Sequence, residues 1–361
     1  MKKFKTFRQV LSLIVLALGL FAVFRYNLGP KLSASLQCSS QPACIKGLSI
    51  SDNGAFDLAF SADGRYLYGV GVDGSRAWNT EKGYRSRRLF TYSPRAFALA
   101  PDGGFAVAKK NGEILLFSAE GEKRLELEPD QSATKNLAFV TGHNLLAIAK
   151  GKTLSFWHTQ TGKFVTELPH ESSITSLAGS SNGIIAAGQA NGQIILWPVS
   201  DFSAYQVIAA SDKMIGELSF SADATVLASA DTTGNVFLWD TATLELMSTL
   251  KKTESLVTSL SFSAKGELLA VAHYSGNVEV WQTQTESLKA SWHYSRNLLS
   301  ASLSADGSLL AVALADKAEL VKTNTRASSS QSRGIGTTLN DSYVRVFPAA
   351  ILVQDISKIT N

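Results

Sequence analysis

Cysteine is almost absent: 361 residues hold two, Cys38 and Cys44, and none follows. Zinc binding by this pair is a poor reading, because neither a second Cys pair nor a His stands nearby to complete four ligands. The segment CSSQPAC is read instead as a small disulfide loop, Cys38 to Cys44, in an oxidising compartment, with two unpaired thiols as the alternative. Charge is also sparse, at 18% of residues, while hydrophobic residues reach 45%. That balance excludes a disordered chain and supplies ample core. Acids are missing from residues 1–30, which hold Lys2, Lys3, Lys5, Arg8 and Arg25. The formal charge of +4 belongs to that segment, and the remainder is near neutral, which offers no basic face for nucleic acid. Catalytic signatures are lacking too. The five histidines, His143, His158, His170, His273 and His293, form no H-E-x-x-H, and neither a G-x-S-x-G elbow nor a phosphate loop occurs. Residue patterns thus assign no catalytic, metal or cofactor site.

One long apolar run is present, Val10 to Phe24, broken only by Ser12. As a helix it spans about 22 Å, short of a ~30 Å hydrocarbon core. Arg8 and Arg25 can snorkel, and Phe7 and Tyr26 can sit at the interfaces, which extends its reach. A cleaved signal peptide shares the basic start, but Arg25-Tyr26-Asn27-Leu28 offers no small-x-small site, and Leu32-Ser33-Ala34 lies far downstream. An uncleaved anchor (a single transmembrane helix) is the preferred reading. Four cations ahead of it hold the N-terminus inside and place the remainder on the outer side, periplasmic in a bacterium.

The rest of the chain repeats. A turn reads SADG at Ser61, APDG at Ala100, VTGH at Val140, SSNG at Ser180, SADA at Ser221, SAKG at Ser263 and SADG at Ser304, each 39 to 42 residues after the last. A large apolar residue follows each turn by 17 or 18 positions: Trp78, Phe117, Trp157, Trp197, Trp239, Trp281 and Val321. Two landmarks at one period of about forty predict an all-β fold, a seven-bladed propeller of four-stranded antiparallel blades. The organisation read is 1–30 basic start and anchor, 31–44 connector, 45–325 propeller, and 326–361 polar linker with an apolar end. Each blade leaves two apolar faces to bury against its neighbours, and the recurrent Trp fills those layers.

The third strand of the clearest copy ends in Trp239-Asp240, while Trp78-Asn79, Trp157-His158, Trp197-Pro198 and Trp281-Gln282 keep the Trp alone. Pro169-His170 retains part of a Gly-His start. In these residues the chain resembles the WD-repeat family over about 45–325. The resemblance implies a ring of blades that binds proteins. No copy holds the full His, Ser/Thr, Asp and Trp set, so the family's hydrogen-bond network is expected to be largely missing.

Ring closure has two solutions at this level. The last copy supplies strands near 299–303, 308–314 and 318–322 and lacks a fourth. Either Ile45 to Ser51 supplies that strand, which is preferred and leaves the C-terminal tail to a face or a partner, or Tyr343–Val353 does. A candidate partner site comprises Trp292, His293, Tyr294 and Arg296, in the connection from the sixth copy to the seventh, with His273 and Tyr274 on the same face. The competing readings are a Trp292 that only seals a seam, and a metal pair of His273 and His293. A second group, Arg85, Arg87, Arg88, Lys109 and Lys110, reads as a solvated edge or a contact to anionic lipid. The functional reading is a non-catalytic, membrane-tethered protein-interaction platform. The alternative is a propeller enzyme or small-ligand sensor with its site in the central channel.

Overall fold

The turn that spaces the repeat works as a lock. Ser61 Oγ donates to Asp63 Oδ1 at 2.6 Å and accepts from Tyr66 N at 2.9 Å. Ser221 with Asp223 and Ser304 with Asp306 repeat the side-chain bond at 2.6 Å. The fourth turn residue sits in the left-handed region, which suits Gly64 (φ 71°) and Gly307 (φ 70°) and is imposed on Ala224 (φ 58°). Each lock joins an inner strand to the next in an antiparallel pair.

The computed structural model describes residues 44–48, 55–71, 74–127, 134, 136–250, 255–315 and 348–356. An opening strand β1 (Cys44–Leu48) precedes six blades of four consecutive strands. The first is β2 (Asp57–Phe60), β3 (Tyr66–Gly71), β4 (Gly74–Asn79) and β5 (Arg85–Phe90). The second is β6 (Pro94–Leu99), β7 (Phe105–Lys109), β8 (Ile114–Phe117) and β9 (Lys123–Leu127). The third is β10 (Asn136–Val140), β11 (Leu145–Lys150), β12 (Thr153–His158) and β13 (Phe164–Pro169). The fourth is β14 (Ile174–Gly179), β15 (Ile184–Gln189), β16 (Gln193–Pro198) and β17 (Gln206–Ala209). The fifth is β18 (Ile215–Phe220), β19 (Val226–Asp231), β20 (Val236–Asp240) and β21 (Leu246–Leu250). The sixth is β22 (Val257–Phe262), β23 (Leu268–His273), β24 (Asn277–Gln282) and β25 (Ser287–His293).

The last copy departs from this rule. It contributes only β26 (Leu298–Leu303) and β27 (Leu309–Ala315), and its sheet runs β26, β27, β28 (Pro348–Asp355), β1. The sevenfold expectation is corrected here: six blades are regular, and a composite sheet from both ends of the chain stands in the seventh place. The preferred closure is found, since β1 is the fourth strand and pairs β28 through Gly47 opposite Leu352. The third strand is β28, and residues 318–322, expected to supply it, lie outside the described set. Leu310 faces Gln354 as Leu227 faces Trp239 and Leu269 faces Trp281, so Gln354, not Val321, holds the landmark position. The tail is therefore a working strand, and the ring extends past 325. Leu58 N donates to Ser300 Oγ and Phe60 N to Ser302 Oγ, both at 3.1 Å, tying the first blade to the composite sheet.

Between each pair of adjacent sheets lies an apolar cluster. One holds Trp239 against Ala186, Ile194 and Leu196 of the fourth blade; another holds Trp281 against Leu238 and Leu250 of the fifth. Trp78 packs similarly against the composite sheet. Within a blade, the first-to-second and third-to-fourth strand turns share one face of the ring, and the remaining connections share the other. Among the described residues no helix is long and apolar enough to cross a membrane, and the span expected at 10–24 lies outside them. Cys38 lies outside them too, with its expected disulfide.

Candidate functional site

Three places can meet a ligand. The first is the sequence-derived group. Trp292 is not in a connection but in β25, the outer strand of the sixth blade, opposite Val278. It packs, partly buried, against the cluster that joins the sixth blade to the composite sheet. Tyr294 is buried in the same seam. His293 is exposed, with Nδ1 2.6 Å from Asn277 Oδ1. His273 is buried at the end of β23, 3.8 Å from Glu279 Oε2, and Tyr274 N donates to Leu256 O at 2.8 Å. Arg296 is half-buried. Among the described residues no three His, Cys, Asp or Glu side chains gather to hold a metal.

The basic group divides. Arg85, Arg87 and Arg88 lie on β5 at the outer circumference, with Arg87 5.4 Å over the Tyr66 ring and donating to Ala119 O. Lys109 sits at the opposite face, paired with Glu113 at 2.6 Å, and Lys110 follows it in the hairpin.

The second place is the central channel, lined by the innermost strands. Four residues before each turn stand Asp57, Ala96, Asn136, Ser176, Glu217, Ser259 and Ser300. In five copies a β-bulge immediately precedes this position, as between Ile215 and Glu217 and between Leu298 and Ser300. Such a bulge re-aims the side chain that follows it. Most members stitch neighbouring blades together: Asn136 Nδ2 donates to Thr175 O at 3.0 Å, and Ser259 Oγ to Ala301 O at 2.7 Å. Ser300 Oγ donates to Asp57 Oδ1 at 3.2 Å. Glu217 makes no such bond among the described residues. Burial pushes its carboxyl up to about 8, and the charge of Asp57 adds to the rise. Burial likewise raises Asp57 to about 6, against the lowering by the Leu58 amide and the Ser300 hydroxyl. The sequence did not single out this acid pair. Stacking the copies at four residues before the turn was the signal that would have found it.

The third place is the rim. Opposite Trp157, Trp239 and Trp281, the outer strands place Phe164, Leu246 and Leu288. Tyr205 approaches Trp197 at 6.5 Å in the fourth blade. Phe164 and Met247 are each 52% exposed, and Tyr205 58%. Four successive blades thus present apolar side chains along one edge. The same register on the first two blades holds Ser86 and Lys123.

The family's internal network survives only in pieces, as the sequence implied. His170 lies 2.7 Å from Gln189 and 5.0 Å, ring to ring, from Trp197. In the fifth blade Ser211 Oγ donates to Asp231 Oδ2 at 2.8 Å, and Trp239 Nε1 to Ser229 Oγ at 2.8 Å.

The profile of the family described as "WD domain, G-beta repeat" matches residues 162–198 and 244–282. Each match joins the outer strand of one blade to the first three strands of the next. The chain therefore carries WD40 repeats in a propeller of four-stranded blades. Among solved structures, a chain of the "Crystal Structure of Mitotic Checkpoint Complex" is similar in fold, with a TM-score of 0.66 at 16% identity, covering 76% of this chain and 89% of that one. No curated protein matches the chain.

Proposed function

We propose that this WD40-repeat propeller is a non-catalytic protein-interaction platform, tethered to a membrane by residues 10–24 and held on its outer side. The observation that carries the reading is the exposed apolar side chain that each of the third to sixth blades presents along the rim, a repeated apolar edge on which a partner can dock. Tethering concentrates the rim near membrane-bound partners. Residues 25–43 reach at most ~65 Å when extended, which keeps the ring close to its anchor. Trp292, His293 and Arg296 then form a second contact on the opposite face. The test is crosslinking and co-purification from membranes with Leu246→Asp plus Leu288→Asp. Loss of a partner with an unchanged melting temperature supports the platform; an unchanged partner set removes the rim from it.

A small-ligand sensor in the channel is the second reading, favoured by Asp57 and Glu217. Asp57→Asn with Glu217→Gln separates the two. Capture of the partner survives in this variant if the rim is the platform, and is lost if the channel is the site.

A further inference from the structure

The apolar side chains of the rim are not scattered over the ring. Phe164 and Val165, Tyr205 and Val207, Leu246 and Met247, and Leu288 stand exposed on or just before the outer strands of the third to sixth blades. Leu256 is the one other large apolar residue exposed among the described residues, and it lies in the connection from β21 to β22, on the opposite face. The backbone gives this edge a second property. Cys44 opens β1 opposite Gln354, as Phe164 stands opposite Trp157, Leu246 opposite Trp239 and Leu288 opposite Trp281. Residues 1–43 therefore join the ring at the edge that carries the exposed apolar residues. The link from 25 to 43 reaches at most ~65 Å.

Whatever meets this edge touches several blades at once. Sheets packed face to face lie about 10 Å apart and splay outward, so four blades spread these residues over roughly 30 Å or more of arc. A fluid bilayer accepts side chains spaced this way one by one, with no matching socket at each blade. The residue types suit its interface, with aromatic Phe164 and Tyr205 beside aliphatic Leu246, Met247 and Leu288. Charge does not draw the edge to an anionic surface, because Lys163 and Lys289 face Glu167, Asp201, Glu245 and Glu286 on the same strands and turns. Those charged groups can stay among hydrated headgroups while their apolar neighbours enter.

We infer that the rim of the third to sixth blades rests on the lipid surface that holds the chain's own N-terminal anchor. The ring then lies with this edge against the bilayer, and the face that bears His293 and Arg296 is turned away from it. The assignment rests on the anchor of the platform reading and goes beyond it by fixing the orientation of the ring. A protein that docks on the rim is then one that itself lies at the bilayer surface.

The test incorporates the full chain into nanodiscs of dioleoylphosphatidylcholine, with no other protein present. A photoreactive benzophenone amino acid replaces Phe164, Met247 or Leu256, one site per sample. Lipid crosslinks are expected from the first two sites and not from the third, an exposed apolar position on the far face. They should persist in about 0.5 M salt, as an apolar contact does and a charge contact does not. Leu246→Asp with Leu288→Asp, both surface changes, should cut the yield from position 164 about tenfold or more. In nanodiscs that hold the chain, equal yields from 164 and 256, or none from 164 and 247, overturn the assignment and leave the anchor standing. A chain that does not enter nanodiscs fails at the anchor and takes this orientation with it. Crosslinks that require phosphatidylglycerol and vanish in salt also overturn it, moving the contact to the basic strand β5. In native membranes, crosslinks from 164 to protein with no lipid product overturn it while leaving the platform in place.

Discussion

Trp239 and Trp157 occupy the same register yet do different work. Trp239 is 6% exposed and its N–H reaches across to Ser229 on the neighbouring strand, whereas Trp157 is only partly buried and bonds its own strand. Trp239→Ala should cost ~3–5 kcal/mol in denaturant unfolding, and Trp157→Ala about 1–2 kcal/mol less. Equal losses would show that the Trp157 seam is packed like the rest. Glu217 supplies a second test. Its carboxyl is raised from 4.5 to about 8 and that of Asp57 from 3.8 to about 6. The folded state therefore holds more protons than the unfolded state between about pH 4 and pH 8, and stability falls as pH rises through that window. Glu217→Gln should flatten the upper part of this fall and raise the melting temperature at pH 8 above that of the parent chain. A parallel pair of pH profiles would mean that Glu217 is solvated like any surface acid. Neither acid stood out along the chain, because each is one member of a column that is otherwise mostly Ser and Asn and becomes visible only when copies are stacked.

Individual elements were legible wherever the code is local. Ser61 and Asp63, or Ser304 and Asp306, close a turn within four residues, and a Trp seventeen positions on fixes the third strand. That logic fails at the last copy, because β28 follows β27 only after residues 316–347, and a local reading places its strand at the nearest apolar residues, around Val321. Trp292 shows the same limit: the outer strand β25 runs longer than its counterparts, so a residue read as connection belongs to the sheet. The composite sheet has its own test. A chain ended at residue 345 lacks β28, leaves β1 without its partner and exposes the edge of β27. Its melting temperature should drop sharply and its hydrodynamic radius rise. A truncated chain as compact and stable as the parent would show that β28 only decorates the ring.

At the scale of the whole molecule, polarity is distributed unevenly around the circumference. The outer strands of the first two blades are basic, exposed Phe164, Tyr205, Leu246 and Leu288 stand near the start of those of the third to sixth, and the channel carries two acids whose carboxyls burial pushes up. An exported, anchored ring predicts signal from a reporter active only outside the cytoplasm when it is fused after residue 361; silence there sinks the topology. The same compartment predicts that Cys38 and Cys44 resist alkylation until a reductant is added, and ready labelling of both removes the disulfide.

Because β1 finds its partner only in β28, the earliest described strand to leave the ribosome waits for the last. A nascent chain can finish six blades and still be an open arc, with one flank of the sixth blade bare. The finishing clasp spans about three hundred residues of sequence separation, and closure over that distance is slow. An early stop codon, or a protease acting within the final stretch, would therefore undo the ring far from the cut.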